Sequence, residues 1–209
     1  VSIYSKHLIA NLPSYVLKRK TLIDYKNKTG IKDLIKNFEK RGELEKKSIY
    51  NVNHVIGRTD WDKACSKIIN PKVNYHFCNE TLRSIFYEKK WSWDNCEKFS
   101  IFMSQANTPI KGLHFLLEAL PIVLKEYPDT KVYIAGGNLV GNGTFMDNIK
   151  LTSYQKYIKS LINKYQLNDK IIFTGNLTEE EMCNRFLRSN VFVSSSSIEN
   201  SPNSVGEAM

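Results

Sequence analysis

Long uncharged apolar runs are missing from these 209 residues: none approaches the roughly 18 that a spanning helix needs. No stretch therefore reads as a transmembrane segment. Cysteine is sparse and scattered, at Cys65, Cys78, Cys96 and Cys183, with no C-x-x-C pair and no Cys/His cluster. The pattern favours reduced, buried thiols in a cytoplasmic protein, with a disulfide pair or a metal site as the alternative. No G-x-G-x-x-G follows any strand-like run, which disfavours a dinucleotide dehydrogenase. Acidic residues are outnumbered by basic ones, 21 to 30, for a net charge of +9. The surplus is uneven: residues 1–50 hold twelve Lys or Arg against five Asp or Glu, whereas residues 51–97 and 98–209 each carry +1. A basic front could attract an anionic lipid surface, a lipid-diphosphate acceptor or nucleic acid, or be a solvated helix face. The near-neutral second half speaks against the nucleic-acid reading.

What is present is an ordinary globular composition, 42% hydrophobic and 24% charged, sufficient for a sizeable core. Residues 1–17 hold apolar pieces (Ser2 to Tyr4, Leu8 and Ile9) without a period. Thr21 to about Lys47 reads as helical, with a stripe of Ile31, Leu34, Ile35 and Phe38, and Gly30 and Gly42 are expected to divide it. Asn51 to Gly57 reads as a strand; Thr59 or Asp60 then caps a helix bearing Trp61, Ala64, Cys65 and Ile68. His54, alternating with apolar neighbours, reads as a packed or hydrogen-bonded structural histidine, and Arg58 as a candidate to face a cleft. Trp91, Trp93, Phe86 and Tyr87 read as hinge packing.

From Ser100 the strand–helix alternation is cleaner. Apolar runs at 100–103, 131–135 and 171–174 alternate with helical patterns led by Leu113, Tyr154 and Met182. Pro121 is expected to kink or split the first of these helices. Asn138 to Asn148 reads as an exposed insertion, and Thr178 with Glu181 as a capping box. Four βα repeats with short turns predict a doubly wound α/β fold.

The most informative stretch is Ser194 to Met209, S-S-S-S-I-E-N-S-P-N-S-V-G-E-A-M. It follows the apolar run Val191 to Val193, expected to be a short buried strand, and Ser201-Pro202 reads as an N-cap followed by proline at the first helical position. Strand, polar loop and helix start in that order make a ligand site at the carboxyl end of a parallel sheet. Helix-start amides suit a phosphate, and the carboxylates of Glu199 and Glu207 can each accept hydrogen bonds from a pair of hydroxyls. Phosphate plus hydroxyls describes a nucleotide sugar.

E-N-S-P-N-S-V-G-E-A-M, with P-I-K-G-L-H at Pro109 to His114 and F-T-G-N-L at Phe173 to Leu177, resembles family 4 glycosyltransferases. The resemblance implies a GT-B type enzyme with two Rossmann-like doubly wound domains, both expected to be incomplete in this chain, which reads as a fragment, that transfers sugar with retention of configuration. It implies residues 1–97 as the end of an N-terminal acceptor-side domain plus the connection, and 98–209 as a donor-binding domain. Glu199 would face the donor sugar and Lys111 its phosphates, as the two catalytic candidates. Glu207 would hold the ribose, Gly112 would flank the lysine, and Asn200, Ser201, Pro202, Asn203 and Ser204 would lie along the diphosphate. Gly175, Asn176 and Leu177 would meet the nucleobase edge. Such enzymes usually carry an arginine six residues before the lysine; here Gln105 stands there, so one phosphate-binding cation is absent or replaced.

No metal and no cofactor beyond the nucleotide-sugar substrate is expected from the resemblance. It points to a glycan or lipid-linked acceptor, and to a cytoplasmic protein on or near the inner membrane face. A phosphorylase-like or epimerising enzyme of the same two-domain plan, or less favourably a basic nucleic-acid-binding protein, remains the alternative.

Overall fold

The computed structural model describes residues 8–9, 11–141 and 144–209. The apolar piece at 2–4 and part of the Asn138 to Asn148 insertion lie outside the described residues. Two parallel sheets carry the architecture. The smaller pairs β1 (His54–Gly57) with β2 (Asn74–Phe77), and α4 (Asp60–Ile69) makes the crossover between them. The larger has the order β5-β4-β3-β6, from β3 (Glu97–Met103), β4 (Lys131–Ile134), β5 (Ile171–Phe173) and β6 (Ser189–Phe192). Its crossovers are α6 (Leu113–Glu126), α8 (Ser153–Lys164) and α9 (Glu179–Leu187). The α/β fold with parallel sheets expected from the alternating pattern is what forms.

The order of the larger sheet has a consequence for function. The chain runs outward from β3 through β4 to β5, then returns to lay β6 on the other side of β3. The crevice between the carboxyl ends of β3 and β6 is thus the point where winding reverses, where open α/β sheets bind ligands.

Local chemistry fixes the helix starts. Thr59, Thr152 and Thr178 each cap a helix and each is answered by a side chain three residues on: Asp62, Gln155 and Glu181. Several expectations are corrected. Pro121 neither splits nor ends α6, which runs unbroken to Glu126. Gly30 does precede a helix, but Gly42 lies buried inside α3 (Ile31–Tyr50) without interrupting it. The Asn138 to Asn148 segment is not all loop, because Thr144 caps α7 (Phe145–Lys150). The run at Val191 is an edge strand, half exposed, since among the described residues no strand pairs with its far side. Of the cysteines, only Cys183 is buried, and Cys78 is exposed. Of the two roles expected for His54, the hydrogen-bonded one holds: the residue is exposed, its ring stacks on His76 and its Nδ1 lies 2.9 Å from the His76 Nε2.

The main core lies on one face of the larger sheet, where Leu113, Leu117, Leu120, Ile134, Ile158 and Leu161 meet. Residues from the front of the chain join it: Leu12, Val16 of α1 (Ser14–Lys18) and Ile31 of α3. Thr21 caps α2 (Leu22–Asn27), and the buried Asp24 carboxylate accepts hydrogen bonds from the Thr21 amide and hydroxyl, the Thr29 hydroxyl and the Ser153 amide. That last bond, 2.8 Å long, ties α2 to the start of α8. Residues 12–35, which the sequence groups with the first sheet, therefore pack on the second. A smaller cluster of Phe102, Ala135 and Phe186 fills the opposite face.

Candidate active site

Two loops meet at the reversal point because their backbones approach closely. The turn after β3 ends in a short 3-10 segment, Pro109–Lys111, followed by Gly112 at φ 73°. A Cβ on Gly112 would sit 2.0 Å from the carbonyl oxygen of Ser195, so neither the dihedral nor the space admits a side chain. The serine run supplies the fastening. The Ser195 hydroxyl lies 3.1 Å from the Lys111 carbonyl and 3.0 Å from that of Gly112, and the Ser197 amide donates to the Ile110 carbonyl at 2.8 Å. Ser195 was missed in the sequence; a run of hydroxyls opposite a turn with bare carbonyls is the signal that points to it.

This fastening brings Lys111 and Glu199 together, with Nζ 2.6 Å from the carboxylate Oε1. Both are about a quarter exposed, and they line a narrow hollow with Ser104, Gln105, Ser194 and Ser204. Ser104 and Gln105 also border a larger hollow of about 540 Å³, whose other walls include Gly136, Gly137, Asn176 and Leu177. Gly136 and Gly175 extend the sheet by one bridge, the Gly136 amide donating to the Gly175 carbonyl at 2.8 Å. The segments following β3, β4, β5 and β6 thus share one rim at the carboxyl end of the sheet.

Glu207 is not in the narrow hollow. It lines a neighbouring one of about 550 Å³ with Trp91, Asn190 and Phe86 of α5 (Ile85–Glu88), and Phe192 borders both. Its Oε1 accepts two hydrogen bonds from Arg83, from Nε at 3.1 Å and from the terminal nitrogen at 2.8 Å, and Arg83 lies over the Phe86 ring. Arg83, which the sequence alone did not single out, leaves the Glu207 side chain 11% exposed.

The loop from Asn200 to Asn203 turns toward the smaller sheet. Ser201 does not cap the last helix; it sits at φ 54°, and Pro202 takes the cap position of α10 (Asn203–Ala208) without a side-chain bond. Asn200 reaches α4: the Thr59 hydroxyl donates to its carbonyl oxygen at 2.7 Å, and its amide donates to Asp62 at 2.9 Å. Arg58 donates to the Asn203 side chain at 3.2 Å and pairs with Glu80, so it does face the space between the sheets. Tyr75 donates to the other oxygen of Asp62. Partial burial alone would raise the Asp62 carboxyl, but hydrogen bonds from Tyr75, Asn200 and the Arg58 and Thr59 amides outweigh it and hold it at about 2. Burial and the adjacent carboxylate push the Tyr75 hydroxyl up to about 12.

With that geometry in place, comparison with known proteins decides the lineage. Residues 85–209, more than half of the chain, match the family Glycosyl transferases group 1. The chain belongs to this family. Within the group 1 family it is similar to YtcC of Bacillus subtilis (strain 168), whose glycosyltransferase activity is itself an assignment: 33% identity over 110 residues, or 53% of this chain and 25% of YtcC. Among solved structures it is similar to the S. aureus protein TarM, in a point-mutant form bound to fondaparinux, alpha-GlcNAc-glycerol and UDP, with TM-score 0.61 and 20% identity over 82% of this chain and 32% of that one. It is also similar to sucrose-phosphate synthase from Thermosynechococcus elongatus, with TM-score 0.60 and 19% identity over 81% of this chain and 41% of that one. At such identities the structural likeness speaks to the fold, of GT-B type. This group 1 chain spans a quarter of YtcC and about a third of TarM.

Proposed function

We propose that the protein transfers a sugar from a nucleotide-sugar donor to a glycan or lipid-linked acceptor with retention of anomeric configuration. The observation that carries the reading is the 2.6 Å approach of Lys111 to Glu199 at the winding-reversal point. Cleavage of the bond between the anomeric carbon and the diphosphate puts negative charge on the leaving phosphate. The Lys111 ammonium, fixed on a turn, stabilises that charge more in the transition state than in the ground state. Glu199 accepts hydrogen bonds from the sugar hydroxyls, and the loop of Asn200 to Asn203 follows the diphosphate. Asn176 and Leu177 border the nucleobase in the 540 Å³ hollow, with Gly175 just before them on the Gly136 bridge, and Gln105, between the two hollows, offers a neutral donor where an arginine is usual. Glu207, gripped by Arg83, receives the ribose diol at the next hollow.

Retention and membership of family 4 rest on the motif resemblance, as does same-face attack assisted by the leaving phosphate. UDP is the first nucleotide to test, because the TarM structure and that of pneumococcal O-GlcNAc transferase GtfA are both complexes with UDP. Calorimetric titration of the full-length protein with a panel of nucleotide sugars is the test. Lys111→Ala and Glu207→Ala should each weaken donor binding or turnover by about 1.5–3 kcal/mol, the scale of charge-assisted contacts. Wild-type titration curves for both variants would refute these roles.

A further inference from the structure

Asn200 follows the proposed sugar-facing glutamate directly, yet its side chain bonds to Thr59 and Asp62 at the start of α4. The structure assigns Asp62, with Thr59, as a positioning residue for Glu199: the pair grips the Asn200 amide and so fixes where the adjacent carboxylate stands. The assignment rests on the transferase reading, which it deepens. Three observations carry it. The amide is held at both ends, its oxygen accepting from the Thr59 hydroxyl at 2.7 Å and its nitrogen donating to Asp62 at 2.9 Å, so rotation about its last torsion is blocked. A second bond, Arg58 to Asn203 at 3.2 Å, holds the same loop three residues on. Asp62 is in turn fixed by its place in the α4 capping box and by Tyr75. On its other side the loop is held by the Ser197 amide on the Ile110 carbonyl and by Lys111 on Glu199, so the clasp fixes Glu199 from the side of the smaller sheet.

A reacting group displaced by about 1 Å can lose on the order of 100-fold in rate, so a clasp on the neighbouring residue is enough to govern turnover. Glu199 touches the sugar and not the nucleotide. Loosening the clasp should therefore slow transfer, and restoring it by a different pair of side chains should recover the rate.

The test uses the full-length protein and three variants. Asp62→Asn places an amide against the Asn200 amide, and Asn200→Asp places two carboxylates against each other. The swap D62N/N200D restores one donor and one acceptor, and Thr59 can still donate to residue 200. With UDP-glucose, UDP-N-acetylglucosamine and GDP-mannose as donor panel, each single variant should lower kcat/KM at least about tenfold. The swap should recover to within about threefold of wild type, a non-additivity that independent structural damage does not produce. Amide hydrogen exchange over residues 196–206 should rise in the singles and fall back in the swap. Singles that turn over at the wild-type rate, or a swap no better than the worse single, overturn the positioning role. Wild-type protein that turns over no nucleotide sugar overturns the transferase reading instead, and the positioning role with it.

Discussion

Asp24 sits in an environment that its sequence context does not announce. Nothing in T-L-I-D-Y-K marks it for burial, yet it is fully enclosed and takes hydrogen bonds from Thr21, Thr29 and the Ser153 amide at the start of α8. Burial would raise its carboxyl, but the bonds from Thr21 and Ser153 prevail and hold it below the ordinary carboxylate range. A depressed carboxylate contributes stability that is present above its unfolded value and lost as pH falls through its folded value. Asp24→Asn should therefore cost about 2 kcal/mol at neutral pH, and the gap to wild type should close on acidification below about pH 4. Urea melts at pH 7 and pH 3 check this; a gap that widens in acid would contradict the carboxylate account. Gly112 makes the opposite case, a requirement for no side chain at all. Gly112→Ala must move the Ser195 carbonyl and bear the strain of φ 73°, which should separate Lys111 from Glu199. A loss of donor affinity in this variant at least as large as in Lys111→Ala, read by calorimetry, is the expected outcome.

Among the elements, α3 divides its surface sharply. Ile31, Leu34 and Ile35 pack into the core, while Lys32, Lys36 and Lys40, four apart and so on one face, are exposed. That face places part of the basic surplus of residues 1–50 in space. If it meets an anionic bilayer, each lysine near the surface contributes about 1 kcal/mol, so replacing all three by Glu should abolish co-sedimentation with phosphatidylserine vesicles. Binding by the triple variant equal to wild type would place the attraction elsewhere. At α4 the helix start serves two ends, because Thr59 and Asp62 cap the helix and also hold Asn200. The cap was legible as Thr59 or Asp60 before an amphipathic run. The second use was not, because its partner lies 138 residues away in sequence.

Across the whole molecule, the two sheets are joined by side chains drawn from both ends of the chain. Val16 and Ile31 belong to the core beneath the larger sheet, so residues before β1 and after β3 should unfold together. Ile31→Ala should destabilise that shared core by about 2–5 kcal/mol in a single denaturant transition. Two separate transitions, with only the earlier one sensitive to Ile31, would show that the packing does not couple them. The parallel order β5-β4-β3-β6 also explains why Lys111 and Glu199 meet: winding reversal places the segment after β3 beside the segment after β6.

By itself the sequence determined the alternation of strands and helices and the threonine caps of α4 and α9, because periodicity and capping are local. Of the kink or split expected at Pro121 the split does not occur, since a single break in a helix is outvoted when Leu116, Leu117 and Leu120 are already buried on that face. Only the tertiary structure decided that Glu207 belongs to Arg83 and the neighbouring hollow, that serines fasten the two loops, and that Asp62 clasps Asn200. These are contacts between residues more than 80 positions apart. Their existence depends on strand order and loop approach, which no local pattern encodes.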